Sequence, residues 1–299
     1  MAVQTKINQT VLMSGADYFS DDFAINAHMD SRIPVDVAKA RAEHAAIKSA
    51  LEDAGVQVVQ VPAPPGCQDG VYAANWALCR GGKAVMSRLP NKRKAEEPYA
   101  EEVLRSLGQE IIHLPDDLRF SGQGDALPCG NDLFIGSNYR TDWQAHQFIG
   151  DQLGYNVISL QAIPKRQWHG FGKRVVNETT GWPDSFYYDI DLALAVLRSP
   201  YQDQKGLIAW CPAAFTRTSR KLLREYDGVE KIEVSRAEAT KGFACNLVST
   251  GETVVMSANA PHFKAELEKR GFKAVTPHIT ELAKGGGYIR CTTLTLGNE

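Results

Sequence analysis

The residue best placed for chemistry is a cysteine that follows three glycines, in Lys284-Gly285-Gly286-Gly287-Tyr288-Ile289-Arg290-Cys291. Consecutive glycines can take positive φ and let a ligand or another backbone approach closely. A strand-like run starts there, with Cys291 near its beginning, so the thiol has room to meet a substrate as a nucleophile. Aspartates recur at comparable places along the chain: Asp69, Asp125, Asp189 and Asp191, with Asn246 at a matching position. Each reads as a strand start. Convergent carboxylates suit a planar cation, because a guanidinium offers several N–H donors in a fixed fork. A cysteine beside them could attack the electrophilic guanidinium carbon and form a covalent intermediate that water then hydrolyses.

The elements that must position these residues repeat about every 50 to 60 residues. Each copy reads as a strand, a short turn, a second strand, a helix and often a third strand. One copy runs from Asp69 through Gly81-Gly82, a helix over Glu96 to Leu107 and a strand at Glu110 to Leu114. The next runs from Gly124 through Gly130-Asn131, a helix over Asp142 to Leu153 and a strand at Asn156 to Leu160. A third spans Tyr188 to Trp210, and a fourth spans Ala244 to Thr276 with a helix over Pro261 to Arg270. The helices follow apolar spacing, and the strands follow β-branched runs flanked by Gly or Asn. The fifth copy begins at Cys291. Only the N-terminal segment can complete it, with Thr10 to Met13, a helix over Val35 to Ala54 and a strand at Val56 to Val61. The two ends therefore complement each other, which favours a closed ring over an open row. No Pro/Gly/Ser-rich linker interrupts the pattern, so residues 1–299 read as one domain. The long polar stretch Pro164 to Pro183, which carries His169, reads as a loop covering a site.

Composition narrows the partners. The 299 residues are 43% apolar and 23% charged, ordinary for a globular protein, and the formal net charge of −2 suggests no polyanion partner. Nucleic acid and membrane are therefore not expected as partners. The short basic run Lys92-Arg93-Lys94 reads as a solvated helix entrance. No apolar stretch approaches the roughly 18 residues of a membrane span. The N-terminus lacks a signal-peptide core, so a cytoplasmic location is the expectation. The six cysteines are scattered without a C-x-x-C pair and read as free thiols, with neither a disulfide framework nor a metal site. No cofactor is expected, and association into a homo-oligomer is left open.

The motifs together resemble the guanidino-group-modifying (amidinotransferase, or pentein) superfamily, and within it the dimethylarginine dimethylaminohydrolases and bacterial arginine dihydrolases. The likeness covers nearly the whole chain. Phe23-Ala24-Ile25-Asn26-Ala27-His28-Met29 is similar to the family's I-N-P-x-M, with Ala27 in place of Pro. Asp69-Gly70-Val71-Tyr72-Ala73-Ala74-Asn75 is similar to D-x-V-F-T-A-N, and Gly122-Gln123-Gly124-Asp125-Ala126-Leu127 to G-x-G-D-A-L. Tyr139-Arg140-Thr141 resembles Y/F-R-T/S, and the segment ending at Cys291 resembles the nucleophile segment. The resemblance implies a five-bladed pseudosymmetric α/β propeller and a hydrolase acting on arginine or an N-methylated arginine. It implies Cys291 as nucleophile, with Asp69, Asn75, Asp125, Asp191, Asn26 and Arg140 binding the substrate, Arg140 through its carboxylate.

Two positions depart from the family pattern. Such hydrolases carry Glu before G-x-G-D, where this chain has Ser121. They carry His in F-Y-H-L-D, where Tyr187-Tyr188-Asp189-Ile190-Asp191 has Asp189. A cysteine without a histidine keeps a pKa near ~8.5, and a nearby carboxylate raises it. A bound guanidinium could lower the thiol pKa. Alternatively, a protonated Asp189 could act as general acid, or His169 could supply an imidazole. Three activities compete: hydrolysis, a catalytically silent propeller that binds a guanidino ligand or a protein partner, and amidino transfer to an amine.

Overall fold

The computed structural model describes residues 6–30, 32–168 and 172–298. In chain order its elements are β1 (Thr10–Ser14), α1 (Val37–Asp53), β2 (Gln57–Val61), β3 (Ala77–Arg80), β4 (Lys83–Met86), α2 (Glu96–Ser106) and β5 (Glu110–Ile112). There follow β6 (Ala126–Cys129), β7 (Asp132–Ile135), α3 (Ala145–Leu153), β8 (Asn156–Ser159), β9 (Leu194–Arg198), β10 (Gly206–Trp210), α4 (Arg217–Glu225) and β11 (Val229–Glu233). The chain closes with α5 (Arg236–Gly242), β12 (Val248–Ser249), β13 (Thr253–Val255), α6 (Pro261–Lys269), β14 (Lys273–Val275) and β15 (Leu294–Thr295).

The strands form five three-stranded sheets, β3-β4-β5, β6-β7-β8, β9-β10-β11, β12-β13-β14 and β15-β1-β2. In each, the middle strand pairs antiparallel with the first and parallel with the third. The parallel pair is joined by a helix, because parallel neighbours cannot be linked by a tight turn. The fifth sheet draws on both ends of the chain, with Val11 opposite Thr295 and Leu12 opposite Leu294. First strands also meet across sheets: β9 lies against both β6 and β12, and β15 against β3.

Helix faces follow the spacing that buries one stripe. In α3 the buried residues are Ala145, His146, Ile149, Gly150 and Leu153; in α2 they are Glu96, Ala100 and Leu104. Caps fix several starts. Asp36 accepts from the Lys39 amide before α1, Thr216 from Ser219 before α4, and Ser235 from Glu238 before α5. No helix among the described residues is long and apolar enough to cross a membrane.

Four expectations are corrected. The third copy is longer than its sequence pattern suggested, since α4 and β11 complete its sheet and α5 follows. Asp69 does not start a strand: it stands well before β3, and the chain between them turns through a short 3₁₀ segment at Ala73–Asn75. Cys291 likewise lies in a turn, and the strand is confined to Leu294–Thr295. In the basic run, Lys92 and Lys94 are exposed as expected, but Arg93 is buried. Its guanidinium makes a 2.7 Å ion pair with Glu96 and donates to Asn75 Oδ1 at 2.7 Å and to the carbonyls of Asp69 and Tyr72. Three local charges in sequence were read as one solvated patch, whereas the turn at Asn91–Arg93 aims the middle one inward.

Candidate functional site

The segment leading to Cys291 is held from four directions. Glu43 of α1 accepts from the backbone amides of Thr280, Glu281 and Leu282 at 2.8 to 3.0 Å, a carboxylate serving a turn's free N–H groups. The Tyr72 hydroxyl donates to the Leu282 carbonyl at 2.6 Å, Asn26 Nδ2 to the Gly285 carbonyl at 2.9 Å, and the Tyr188 hydroxyl to the Gly286 carbonyl at 2.7 Å. The three glycines are explained by this bracing. Gly286 has φ +84°, and a Cβ there would run into the Asn26 amide. A Cβ at Gly285 would meet the Tyr72 hydroxyl, and one at Gly287 would come within 2.9 Å of the Cys291 Cβ. The space that the sequence reading gave to a substrate is thus filled by Tyr72 and Asn26.

Cys291 is buried, 2% exposed. Its Sγ lies 3.4 Å from Asp191 Oδ2, and Asn246 Nδ2 donates to it at 3.1 Å. Asn246 Oδ1 also accepts from the Cys291 amide at 3.2 Å, so one side chain fixes both backbone and thiol. Burial, and next the Asp191 charge, push the thiol well above its usual pKa. Asp191 is itself pushed up, first by burial and then by the charge of Asp189. Burial and mutual repulsion thus disfavour the charged form of both groups.

The charges of Asp189 and Asp125 reach Asp191, while Asp69 stands nearer Arg93. Asp125 Oδ1 accepts from the Ile190 amide at 2.9 Å; burial and the Asp189 charge push its pKa to about 8. Asp189 Oδ2 accepts from Asn75 Nδ2 at 2.8 Å and lies 3.8 Å from Arg140 Nη1. Gly124 is needed beneath that bond, because a Cβ there would sit 2.6 Å from Asn75 Nδ2 and 2.7 Å from Asp189 Oδ2. Asp69 accepts from Gln68 through Oδ2 at 2.9 Å, and burial raises its pKa to about 6. Three buried carboxylate oxygens, Asp69 Oδ1, Asp189 Oδ1 and Asp191 Oδ1, have no hydrogen-bond partner among the described residues. A buried acceptor without a donor is costly, so such a set marks a place where donors are to be brought in.

The remaining expected residues divide. Asn75 joins the cluster, donating also to Ser121 Oγ at 3.0 Å and to the Ser121 carbonyl. Arg140 lies over the Tyr188 ring at 4.1 Å and donates to the Ile25 carbonyl at 3.4 Å. Asn26 is committed to the glycine segment and, through Oδ1, to the His28 amide. His169 lies outside the described residues. Sequence reading assigned no site role to Glu43, Tyr72, Tyr188 or His28, and placed Arg93 in solvent. His28 packs on Phe186, Tyr188 and Phe243 and donates from Nε2 to the Phe186 carbonyl. Burial lowers its pKa to about 4, so it is neutral near pH 7. Its place within a motif segment was the one signal that could have drawn attention to it.

With this geometry in view, the likeness to known proteins can be weighed. The family model described as N,N dimethylarginine dimethylhydrolase, eukaryotic, matches residues 17–175. The dimethylarginine dimethylaminohydrolase of Mycobacterium tuberculosis is 31% identical over 297 residues, covering 99% of this chain and 88% of that protein. The chain belongs to the dimethylarginine dimethylaminohydrolase family. The bifunctional arginine dihydrolase/ornithine cyclodeaminase AgrE of Nostoc sp. is 29% identical over 288 residues, and the chain spans 37% of its length. The N-terminal domain of ArgZ, an arginine dihydrolase of cyanobacteria solved with substrate bound, superposes with a TM-score of 0.82 at 26% identity, covering 96% of this chain and 98% of that one. The same domain has been solved covalently bonded to a reaction intermediate, with a TM-score of 0.81. The enzyme of Pseudomonas aeruginosa, with a TM-score of 0.72 at 17% identity, shares the fold. The fold is thus the α/β arrangement of five small sheets found in these proteins.

Proposed function

We propose that this family member is a hydrolase acting on a guanidino compound, arginine or an N-methylated arginine, through a covalent adduct on Cys291. The reading rests on the partnerless buried oxygens of Asp69, Asp189 and Asp191, the last of these carboxyls meeting the thiol at 3.4 Å. A guanidinium brings five N–H donors in one plane, enough to satisfy all three. Asp69, Asp189 and Asp191 hold it, with Asp125 and Asn75 behind them, while Arg140 turns toward the substrate carboxylate and Asn26 braces the loop. The cation reverses the local electrostatics: its charge lowers the pKa of the neighbouring carboxyls and of the thiol. The Sγ proton passes to Asp191 Oδ2, and the thiolate attacks the guanidinium carbon. A C–N bond breaks, and the departing amine takes the proton. Water then displaces sulfur from the carbon, leaving a ureido carbonyl and restoring the thiol. Across the cycle a guanidinium and a water become a urea group and an ammonium, so charge and protons balance. Asp189 stands where a histidine would, beside Asn75 and Arg140, and serves as a second proton site in the amine-release step. The single chain forms the whole site, as five blades of one closed propeller.

One observation favours a silent binder: among the described residues, the polar partners of Cys291 Sγ are Asn246 and Asp191, with no imidazole. Incubation with arginine and methylarginines, followed by assays for ammonia, methylamines, citrulline and ornithine, separates the two readings. Product formation that Cys291→Ala abolishes supports the hydrolase. Saturable binding with no product from the parent protein overturns it in favour of the binder. Calorimetry adds an independent check: guanidinium binding near pH 7 is expected to release protons from Asp125 and its neighbours.

A further inference from the structure

Cys291 faces the carboxylates, and its neighbour Arg290 faces a separate cavity. This cavity of about 360 Å³ runs along β6 and β9, from Leu127 and Leu194 to Gly130 and Pro200 beyond their ends, whereas Asp125 and Asp191 stand before both strands. It lies between Leu127, the Leu194–Val196 run, Leu247 and the segment of residues 6–10 that leads into β1. Among the described residues its lining contains Arg290 and Lys6 and no Asp or Glu. Arg290 is 95% buried, 5% exposed. Its hydrogen-bond partners among the described residues are the oxygens of Asn8, Thr293 and Thr295, all reached by Nη1 at 3.1 to 3.5 Å; the carboxylate whose charge acts on it, Asp191, makes no ion pair with it. Burial lowers its pKa to about 10, which leaves it a cation at neutral pH. Gln123, fully buried in the same lining, accepts from the Thr295 amide through Oε1, and its Nε2 has no partner among the described residues. A buried cation without an anion is costly, as is a buried donor without an acceptor.

We infer that this cavity is a second binding site, separate from the Cys291 cluster, for a small carboxylate carrying a short apolar chain. The carboxylate meets Arg290 and Gln123 Nε2, the chain lies along Leu127, Leu194 and Val196, and Lys6 stands near the opening. The apolar wall distinguishes such a ligand from an inorganic ion. The site does not depend on the activity proposed above. It does touch it electrostatically, because an anion on Arg290 offsets the positive charge that faces Asp191.

The test is a thermal-shift and calorimetric titration of the full chain with butyrate, against sodium chloride at equal ionic strength and against inorganic phosphate. A saturable rise in Tm with butyrate alone is expected, in the parent and in Arg140→Gln. Binding should weaken about tenfold or more in Arg290→Gln, as loss of a charge-assisted contact implies. It should vanish in Val196→Glu, which supplies a carboxylate from within. Should Val196→Glu not fold, the exposed Lys6→Glu is expected to weaken binding several-fold. Equal shifts with chloride or phosphate overturn the proposal. So does binding that survives both Arg290→Gln and the cavity-lining variant, or binding lost in Arg140→Gln, which would place the ligand at the Cys291 cluster.

Discussion

Two buried ionic clusters share Asn75 and differ in one respect. In the first, Arg93 and Glu96 are each about 1% exposed by side chain, and the charges are matched one to one. Every Glu96 oxygen has a donor, from Arg93 Nε and Nη2 and from Trp76 Nε1. In the second, Asp125, Asp189, Asp191 and Cys291 lie together, Arg140 stands 3.8 Å from Asp189, the Arg290 charge acts on Asp191, and carboxylate oxygens are left without donors among the described residues. The first cluster is complete within the chain and holds the Asp69–Asn75 segment in place. On the proposed function, a guanidino ligand completes the second. A saturated buried pair is architecture, and an unsaturated one stores the free energy that binding releases.

The sharpest way to break this comparison is at sulfur. Cys291→Ala is expected to abolish product formation while leaving stabilisation by arginine or methylarginine intact, as measured by product assay and thermal shift together. Residual turnover would remove the covalent step.

Asp191→Asn comes next. Loss of the group that takes the thiol proton is expected to lower kcat about 10²–10⁴-fold. It also removes the charge that raises the thiol pKa, so the pH midpoint for alkylation of Cys291 should move down. An unchanged midpoint would separate the two groups.

The saturated cluster should respond in stability. Arg93→Met strands Glu96 in the interior, and a loss of about 3–5 kcal/mol is expected from denaturant unfolding. Changing both residues to apolar ones of similar volume should recover much of it. If Arg93→Met left stability intact and only weakened ligand binding, the distinction between the clusters would fail.

A further effect concerns pH. The Asp125 carboxyl has an ordinary value of 3.8 and is raised to about 8 in the folded chain. The native state therefore holds a proton that the unfolded chain has lost. Its stability should fall as pH rises from about 4 to about 8, since the unfolded state then binds fewer protons. Asp125→Asn should flatten the fall in Tm across that window, and saturating guanidino ligand should shrink it as well. A parent Tm that rises through the window would contradict the assigned shift.

Much of this was legible in the sequence. The helices over Glu96–Ser106 and Pro261–Lys269 follow from apolar spacing, and the joining of the chain's two ends follows from a repeat that lacked its partner strands. The aspartates and Cys291 were recognisable because their positions recur with the repeat. What stayed hidden depended on directions that a linear pattern does not carry. Arg93 turns inward between two exposed lysines because Asn91–Arg93 forms one tight turn. Glu43, more than 200 residues away along the chain, caps the turn before the glycines. The sequence by itself determined which groups are available: a thiol, four carboxylates and a cation next to the thiol. Only the tertiary structure decided that Cys291 and Arg290, adjacent along the chain, serve opposite sides. Successive backbone vectors in a turn diverge, and it is the packing of distant segments that decides what each side chain meets.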